Sequence, residues 1–298
     1  MPLVPLGRLL AEARTGGYAV GYFEAWGSYS LEAVVEAAEA ESAPVILGFG
    51  CLLVDQGWLD DGGIEAFGSL GRPVAERARV PTCFLLNETY TLEHALRGLE
   101  AGFTAVMMHT GGQSLAVSME QVGSLVRTAH DRGAAVEGEL GTLPDATGGE
   151  IDETRAALTD PDEAAAFVAA TGVDCLAVSF GNVHLLEERA ASVDLDRLQA
   201  IHRRVDVPLA VHGGTSFPPE AVEAAIARGV AKFNVGTLLK RAFLEGLGRA
   251  MTATPADLGP HDLLGSHGTT DLLEAGKRSM IPAVRQLIRL YGGSGRAT

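Results

Sequence analysis

Cysteine is scarce in this chain: three in 298 residues, Cys51, Cys83 and Cys175, each inside an apolar stretch. The set is odd and contains no CxxC, so neither a disulfide framework nor a thiolate zinc site is indicated. Buried free thiols in a reducing cytoplasm are expected. Basic residues are few as well. Lys and Arg number 23 against 38 Asp and Glu, a formal net charge of −15 with no local basic cluster to offset it. Such a chain is a poor match for a nucleic-acid backbone or an anionic membrane surface. No apolar run approaches the roughly 18 residues of a membrane span. Residues 1–10 lack the basic region, apolar core and cleavage site of a secretory signal. Also missing are a Walker phosphate loop, a strand-linked GxGxxG, a GxSxG elbow and an HExxH helix. Low-complexity linkers are absent too, and the hydrophobic content of 47% argues for a packed core over disorder.

What is present is an alternation. Short β-rich apolar runs fall at residues 18–23, 44–49, 82–86, 105–108, 135–139, 175–179, 209–211 and 232–235. Stretches of helical period lie between them, at 31–40, 92–101, 119–132, 161–171, 195–204 and 219–228. Ser30 precedes the first of these as a candidate cap, and Thr159 and Asp160 lead into Pro161 at the start of another. Gly102, Gly133, Gly172 and Gly229 follow helical stretches as candidate C-caps. Eight strand-like runs alternating with helices predict a single (β/α)8 TIM barrel over residues 1–298 with a C-terminal helical extension. A doubly wound open sheet is the alternative.

A barrel carries its active site at the C-terminal ends of its strands. Glu24 ends the first run, Gly48 and Gly50 the second, Asn87 and Glu88 the third, His109 the fourth, and Glu137 and Glu139 the fifth. The sixth runs into Gly181, Asn182, Val183 and His184; the seventh into His212, Gly213, Gly214 and Thr215; the eighth into Asn234, Val235, Gly236 and Thr237. One histidine at a strand end is more often structural than functional. Three histidines and several carboxylates on one rim predict a polar site. Glu88, His184 and His212 suit a divalent metal of borderline hardness, zinc above all, with an open position for substrate. Such a metal polarises a carbonyl and stabilises an enolate. His109 is then a fourth ligand or a proton-transfer group. The glycine-rich segments after the seventh and eighth runs read as a phosphate cradle, with ordinary tight turns as the alternative.

Longer stretches carry a family resemblance. They include YAVGYF at 18–23, APVIL at 43–47, AGFTAVM at 101–107, VEGELG at 136–141, LTDP at 158–161 and TGVD at 171–174. They continue with GNVH at 181–184, VHGGT at 211–215, NVGT at 234–237 and IRLYGGSGRA at 288–297. Together these resemble the class II, metal-dependent ketose-bisphosphate aldolases, which include the fructose- and tagatose-bisphosphate enzymes. The resemblance implies a lyase acting on a phosphorylated or phosphonate-bearing small molecule, with zinc as cofactor, as a cytoplasmic homodimer or homotetramer. Two of the family's three zinc histidines map onto His184 and His212. The third belongs to a Leu-Asp-His segment that here reads Leu86, Asn87, Glu88, so Glu88 replaces it. Asn87 replaces the aspartate that handles the proton on the aldehyde oxygen.

Other positions depart as well. His109 stands for an aspartate after the fourth strand, Glu24 for an asparagine after the first, and Gly50 for a serine after the second. Leu185 stands for a phosphate-binding glycine. The acidic catalytic loop has no clear counterpart, though Asp145 or Glu150 falls near its place. Gly213, Thr215, Asn234 and Thr237 match phosphate and substrate positions, and Glu139 matches the acid that orients metal ligands. An amide at position 87 cannot donate a carboxyl proton or act as a base, so little fructose 1,6-bisphosphate cleavage is expected. The catalytic set expected instead is Asn87, His109, Glu24 and Glu139. Three readings stand: an aldolase-like enzyme of altered substrate; another enolate reaction, such as isomerisation, elimination or a metal-free condensation; and a non-catalytic sugar-phosphate-binding homologue.

Overall fold

The computed structural model describes residues 3–144, 157–183, 191–255 and 257–297. Eight strands close a barrel in sequence order: β1 (Val20–Ala25), β2 (Val45–Gly50), β3 (Thr82–Thr89), β4 (Ala105–Met108), β5 (Ala135–Leu140), β6 (Cys175–Val178), β7 (Leu209–Val211) and β8 (Val230–Val235). Every pairing is parallel. The closing pair, β1 with β8, runs from Val20 opposite Lys232 to Phe23 opposite Val235 and excludes the open sheet. Helices α2 (Ser28–Ala40), α4 (Ile64–Arg77), α5 (Leu92–Glu100), α6 (Leu115–Asp131), α7 (Pro161–Thr171), α8 (Leu195–His202), α9 (Val222–Ile226) and α10 (Thr237–Ala253) lie between or after the strands. Short α3 (Gln56–Trp58) leads through a π turn into α4, and α11 (Pro260–Leu263) leads to the long α12 (Leu272–Leu290).

Period-two alternation along the strands sorts the core into two parts. Phe23, Leu47, Phe84, Leu86, Val106, Val136 and Phe233 face outward into the layer shared with the helices. Tyr22, Ile46, Cys83, Leu85 and Cys175 fill the barrel. Its lower end is stoppered by α1 (Leu6–Gly16), which buries Leu6, Leu9, Leu10 and Ala13 against that inner set. At the far edge, Glu41 accepts from Arg285 and Arg289 of α12 and from Ser294, tying the C-terminal segment beside α2.

Local signals explain most element ends. Asp160 accepts from the backbone N–H groups of Asp162 and Glu163 ahead of Pro161. Gly172 closes α7 at φ 72°, a left-handed conformation that glycine adopts without a Cβ penalty. Ser30 is not the cap of α2: the helix begins two residues earlier, and Ser30 Oγ accepts from the Gly27 and Trp26 N–H groups from inside the first turn. The stretch 219–228 splits into a 3-10 turn (Pro219–Ala221) and the short α9. The first strand lies two residues later than its apolar run, because Tyr18 belongs to the packing around α1.

Candidate active site

Alternation also places the polar groups. Tyr22 and Glu24 share the inner face of β1, Glu137 and Glu139 that of β5, and Lys232 and Asn234 that of β8. Asn87 follows Cys83 and Leu85 inward on β3. Glu88, the next residue, would point outward on a regular strand. Its φ of 55° and a register shift between Leu86 and Thr89 turn it into the barrel mouth instead. A non-glycine residue in that region is uncommon and is held by its surroundings.

Those surroundings are a buried chain of charges. His212 Nδ1 lies 3.1 Å from Glu88 Oε1, and His212 Nε2 lies 2.9 Å from Glu137 Oε1. Lys232 Nζ reaches Glu137 Oε2 at 2.8 Å, donates to Asn234 Oδ1, and sits 5.1 Å from the centre of the Tyr22 ring. Asn87 Nδ2 donates to Glu88 Oε2 at 3.0 Å. Burial opposes charge on His212, but its bonds to Glu137 and Glu88 outweigh burial and lift its pKa to about 9. Burial alone would raise Glu137, yet Lys232 and His212 hold it below the usual carboxylate range. Cys51 behaves oppositely: burial first, then the Glu88 and Glu24 charges, push its thiol up to about 12. It is an inert thiol, not a nucleophile.

A second imidazole–carboxylate couple stands on the same rim. His109 Nδ1 lies 2.9 Å from Glu139 Oε2, and the hydrogen bond to Glu139 raises the His109 pKa. His109 Nε2 lies over Gly111, where a Cβ would come within 2.5 Å of it. Glu139 and His212 line one small cleft together.

The anion-binding candidates lie beside this chain. Gly214 N–H donates to Asn234 O at 2.8 Å, and Thr215 Oγ1 accepts from Leu238 N–H at 3.2 Å, so the loops after β7 and β8 are stitched together. Gly213, Thr215 and Thr237 lie on that seam, Thr237 as the first residue of α10. Asn234 turns its side chain inward, to Lys232 and His212. Glu24 reaches across from β1, with Oε1 2.6 Å from Lys240 Nζ. His184, Leu185, Asp145 and Glu150 lie outside the described residues. Glu137, read from the sequence as a rim acid, is fully buried below the mouth.

Lys232 and Lys240 were not singled out by the sequence. The signal for Lys232 was a lysine inside an otherwise apolar strand, a position that burial makes unfavourable without a partner.

The donor pair present fits a divalent metal. Glu88 Oε1 and His212 Nδ1 are 3.1 Å apart, the spacing of two adjacent ligands on one ion at about 2.0–2.1 Å. Glu137 behind Nε2 is the carboxylate that commonly backs a metal-binding imidazole. Another group with metal-capable atoms, Glu32 of α2, His267 ahead of α12 and Glu274 in its first turn, clusters within 4.8 Å. There Lys277 Nζ already stands 3.2 Å from Glu32 and 3.0 Å from Glu274.

The fold is a closed parallel barrel whose strand ends gather two imidazole–carboxylate couples beside the stitched loops after β7 and β8, the architecture of a barrel enzyme with its polar groups at the mouth. Residues 4–296 match the family of class II fructose-bisphosphate aldolases, and the chain belongs to that family, whose members are lyases. A sulfofructosephosphate aldolase of Alkalicoccus urumqiensis is 30% identical over 293 residues, covering 97% of this chain and 96% of the relative. A probable fructose-bisphosphate aldolase of Bacillus subtilis is 30% identical over 303 residues and covers all of both. The crystal structure of the YdjI aldolase from Escherichia coli K12 superimposes with a TM-score of 0.81 at 25% identity, covering 99% of this chain and all of that one.

Proposed function

We propose that this aldolase-family enzyme makes or breaks a carbon–carbon bond through an enolate on a phosphorylated or phosphonate-bearing small molecule, and that fructose 1,6-bisphosphate is not its substrate. The observation that carries this reading is the pairing of His212 with Glu88 and of His109 with Glu139 around one barrel mouth. Glu88 and His212, together with His184, would hold a divalent ion, zinc by donor chemistry. Bound there, the ion supplies polarisation of the substrate carbonyl and stabilisation of the enolate.

The chain's own groups divide the remaining work. Glu137 accepts from His212 Nε2 and so holds Nδ1 toward Glu88. Glu139 fixes His109 through Nδ1, which makes Nε2 the atom that takes and returns the substrate proton. Asn87 Oδ1 is buried with no hydrogen-bond partner among the described residues; it accepts from a substrate hydroxyl where the family's aspartate would exchange a proton. Gly213, Thr215, Thr237 and the backbone near Asn234 cradle the anion. The enzyme works in the cytoplasm, a reading that three buried free thiols support, and as the homodimer or homotetramer that the family resemblance implies.

Metal analysis of untagged protein, followed by cleavage assays on phosphorylated hydroxyketones, tests the reading. Near-stoichiometric zinc is expected, with turnover that chelation and His109→Ala both abolish and little activity on fructose 1,6-bisphosphate. No metal at that level, and no gain on adding one, would overturn the metal role. One observation favours a metal-free variant of the same enolate chemistry. His212 has a carboxylate at each ring nitrogen, the setting of an imidazolium whose fixed charge, with no free N–H to donate, would stabilise a nearby enolate electrostatically.

A further inference from the structure

Building on the anion cradle proposed above, we infer that the Glu24–Lys240 pair is a specificity-determining device that holds down the site's affinity for a bare anion, so that a substrate must also offer Glu24 a hydroxyl beside its anionic end. Glu24 projects from the end of β1 and crosses to the junction of β8 and α10. Its Oε1 is 2.6 Å from Lys240 Nζ, and its Oε2 is 2.1 Å from where a Cβ on Gly236 would stand. A Cβ on Gly50 would come within 3.3 Å of the same carboxylate. A side chain at 236 would therefore have to displace the Glu24 carboxylate from this position, and one at 50 would crowd it.

That space adjoins the cradle. Gly236 is the residue before α10, Thr237 opens the helix, and Lys240 is in its first turn. Thr215 Oγ1 holds Leu238 N–H on the same turn. An anion arriving on the seam meets the Lys240 ammonium, which attracts it, and the Glu24 carboxylate, which repels it and competes for the same ammonium. The Lys240 side chain is 45% exposed and that of Glu24 20%, so water moderates both effects without removing them.

A free inorganic anion has to break into the pair with nothing to give Glu24 in return. A substrate with a hydroxyl next to its anionic end donates to Glu24 and recovers that loss. The arrangement thus selects a hydroxylated monoester or phosphonate over simple anions, which abound in any cell.

Calorimetric titration of inorganic phosphate into the chelator-treated full chain reads this without any turnover. Glu24→Gln is expected to tighten phosphate about three- to tenfold and Lys240→Met to loosen it about as much, the scale of one partly solvated charge close by. In the double variant the two shifts should largely cancel. Thermal melts check that each variant folds, and Glu24→Asn, shorter and uncharged, repeats the first test if Glu24→Gln does not. Phosphate affinity equal in the wild type and both position-24 variants, or weaker in the variants, overturns the inference and leaves the cradle standing. No phosphate binding in any variant overturns both.

Discussion

Lys232 Nζ lies 2.8 Å from Glu137 Oε2, with neither side chain exposed to solvent. Both charges have left water, so each depends on the other and on the groups around it: Asn234 and the Tyr22 ring for Lys232, His212 for Glu137. Removing one partner leaves an uncompensated buried charge. Lys232→Met is expected to lose about 3–5 kcal/mol of stability by urea denaturation. Lys232→Met combined with Glu137→Gln should recover part of that loss, since the orphaned carboxylate is then gone. A loss below about 1 kcal/mol in the single variant would show that water reaches the pair.

His109 should titrate above its ordinary value of about 6.5, because its hydrogen bond to Glu139 favours the charged ring. Histidine NMR across pH reads this directly. In Glu139→Gln the ring loses the negative charge of that partner while burial still opposes its own charge, so its pKa should fall. A raised folded pKa means the pair's contribution to stability is fully present below about pH 6.5 and is lost as pH rises through the folded value. The ring is 32% exposed, so that contribution is about 1 kcal/mol or less. An unchanged titration in Glu139→Gln would remove Glu139 as the group that orients His109.

Acid stability should depend on Glu41. Arg289 foremost, with Arg285 and Ser294, holds its carboxyl down to about 2. A depressed folded pKa contributes stability above the unfolded value of about 4.3, which is lost as pH falls from there toward 2. The two arginines are substantially exposed, so solvent reduces the effect to about 1 kcal/mol. Glu41→Gln should lower the melting temperature at pH 7 and converge on the wild type near pH 2. The C-terminal segment should loosen with it, visible as faster amide exchange at Gly295 and Ala297, whose N–H groups donate to Glu41 O and Ser42 O.

The barrel was readable because its two periods are clean: short β-rich runs, from three residues at 209–211 to six at 18–23, against amphipathic stretches, punctuated by Asp160 and by glycines with positive φ such as Gly102 and Gly133. Strand ends then located the polar rim. Two things were hidden. The inward turn of Glu88 depends on a left-handed residue within β3, and neither period nor propensity marks such a break. The partnerships of Lys232 with Glu137 and of Lys240 with Glu24 join residues 95 and 216 positions apart. Only closure of the barrel brings them together, so a lysine in an apolar strand stays an anomaly until its carboxylate is found across the lumen.

Position 88 offers the most informative exchange. Glu88 sits at φ 55°, a region where histidine, asparagine and aspartate are enriched over other side chains, so histidine fits that backbone at least as well as glutamate. Glu88→His with Asn87→Asp should therefore fold. It also removes one of the two carboxylates that hold His212 charged, leaving Glu137 against the pull of burial. The His212 pKa, about 9 with both carboxylates, should fall in the double variant, and imidazole NMR would track it. With less competition from a proton on Nδ1, the site should bind zinc more tightly near neutral pH, as ligand deprotonation predicts. The restored aspartate supplies the carboxyl group that Asn87 lacks, so slow fructose 1,6-bisphosphate cleavage is expected where the parent has little. Tight zinc with a lowered His212 pKa but no cleavage would place the barrier elsewhere, at Glu24 or His109. An unchanged His212 pKa would mean that Glu137, or the carboxylate introduced at position 87, suffices to hold its charge, and Glu88→His alone separates the two.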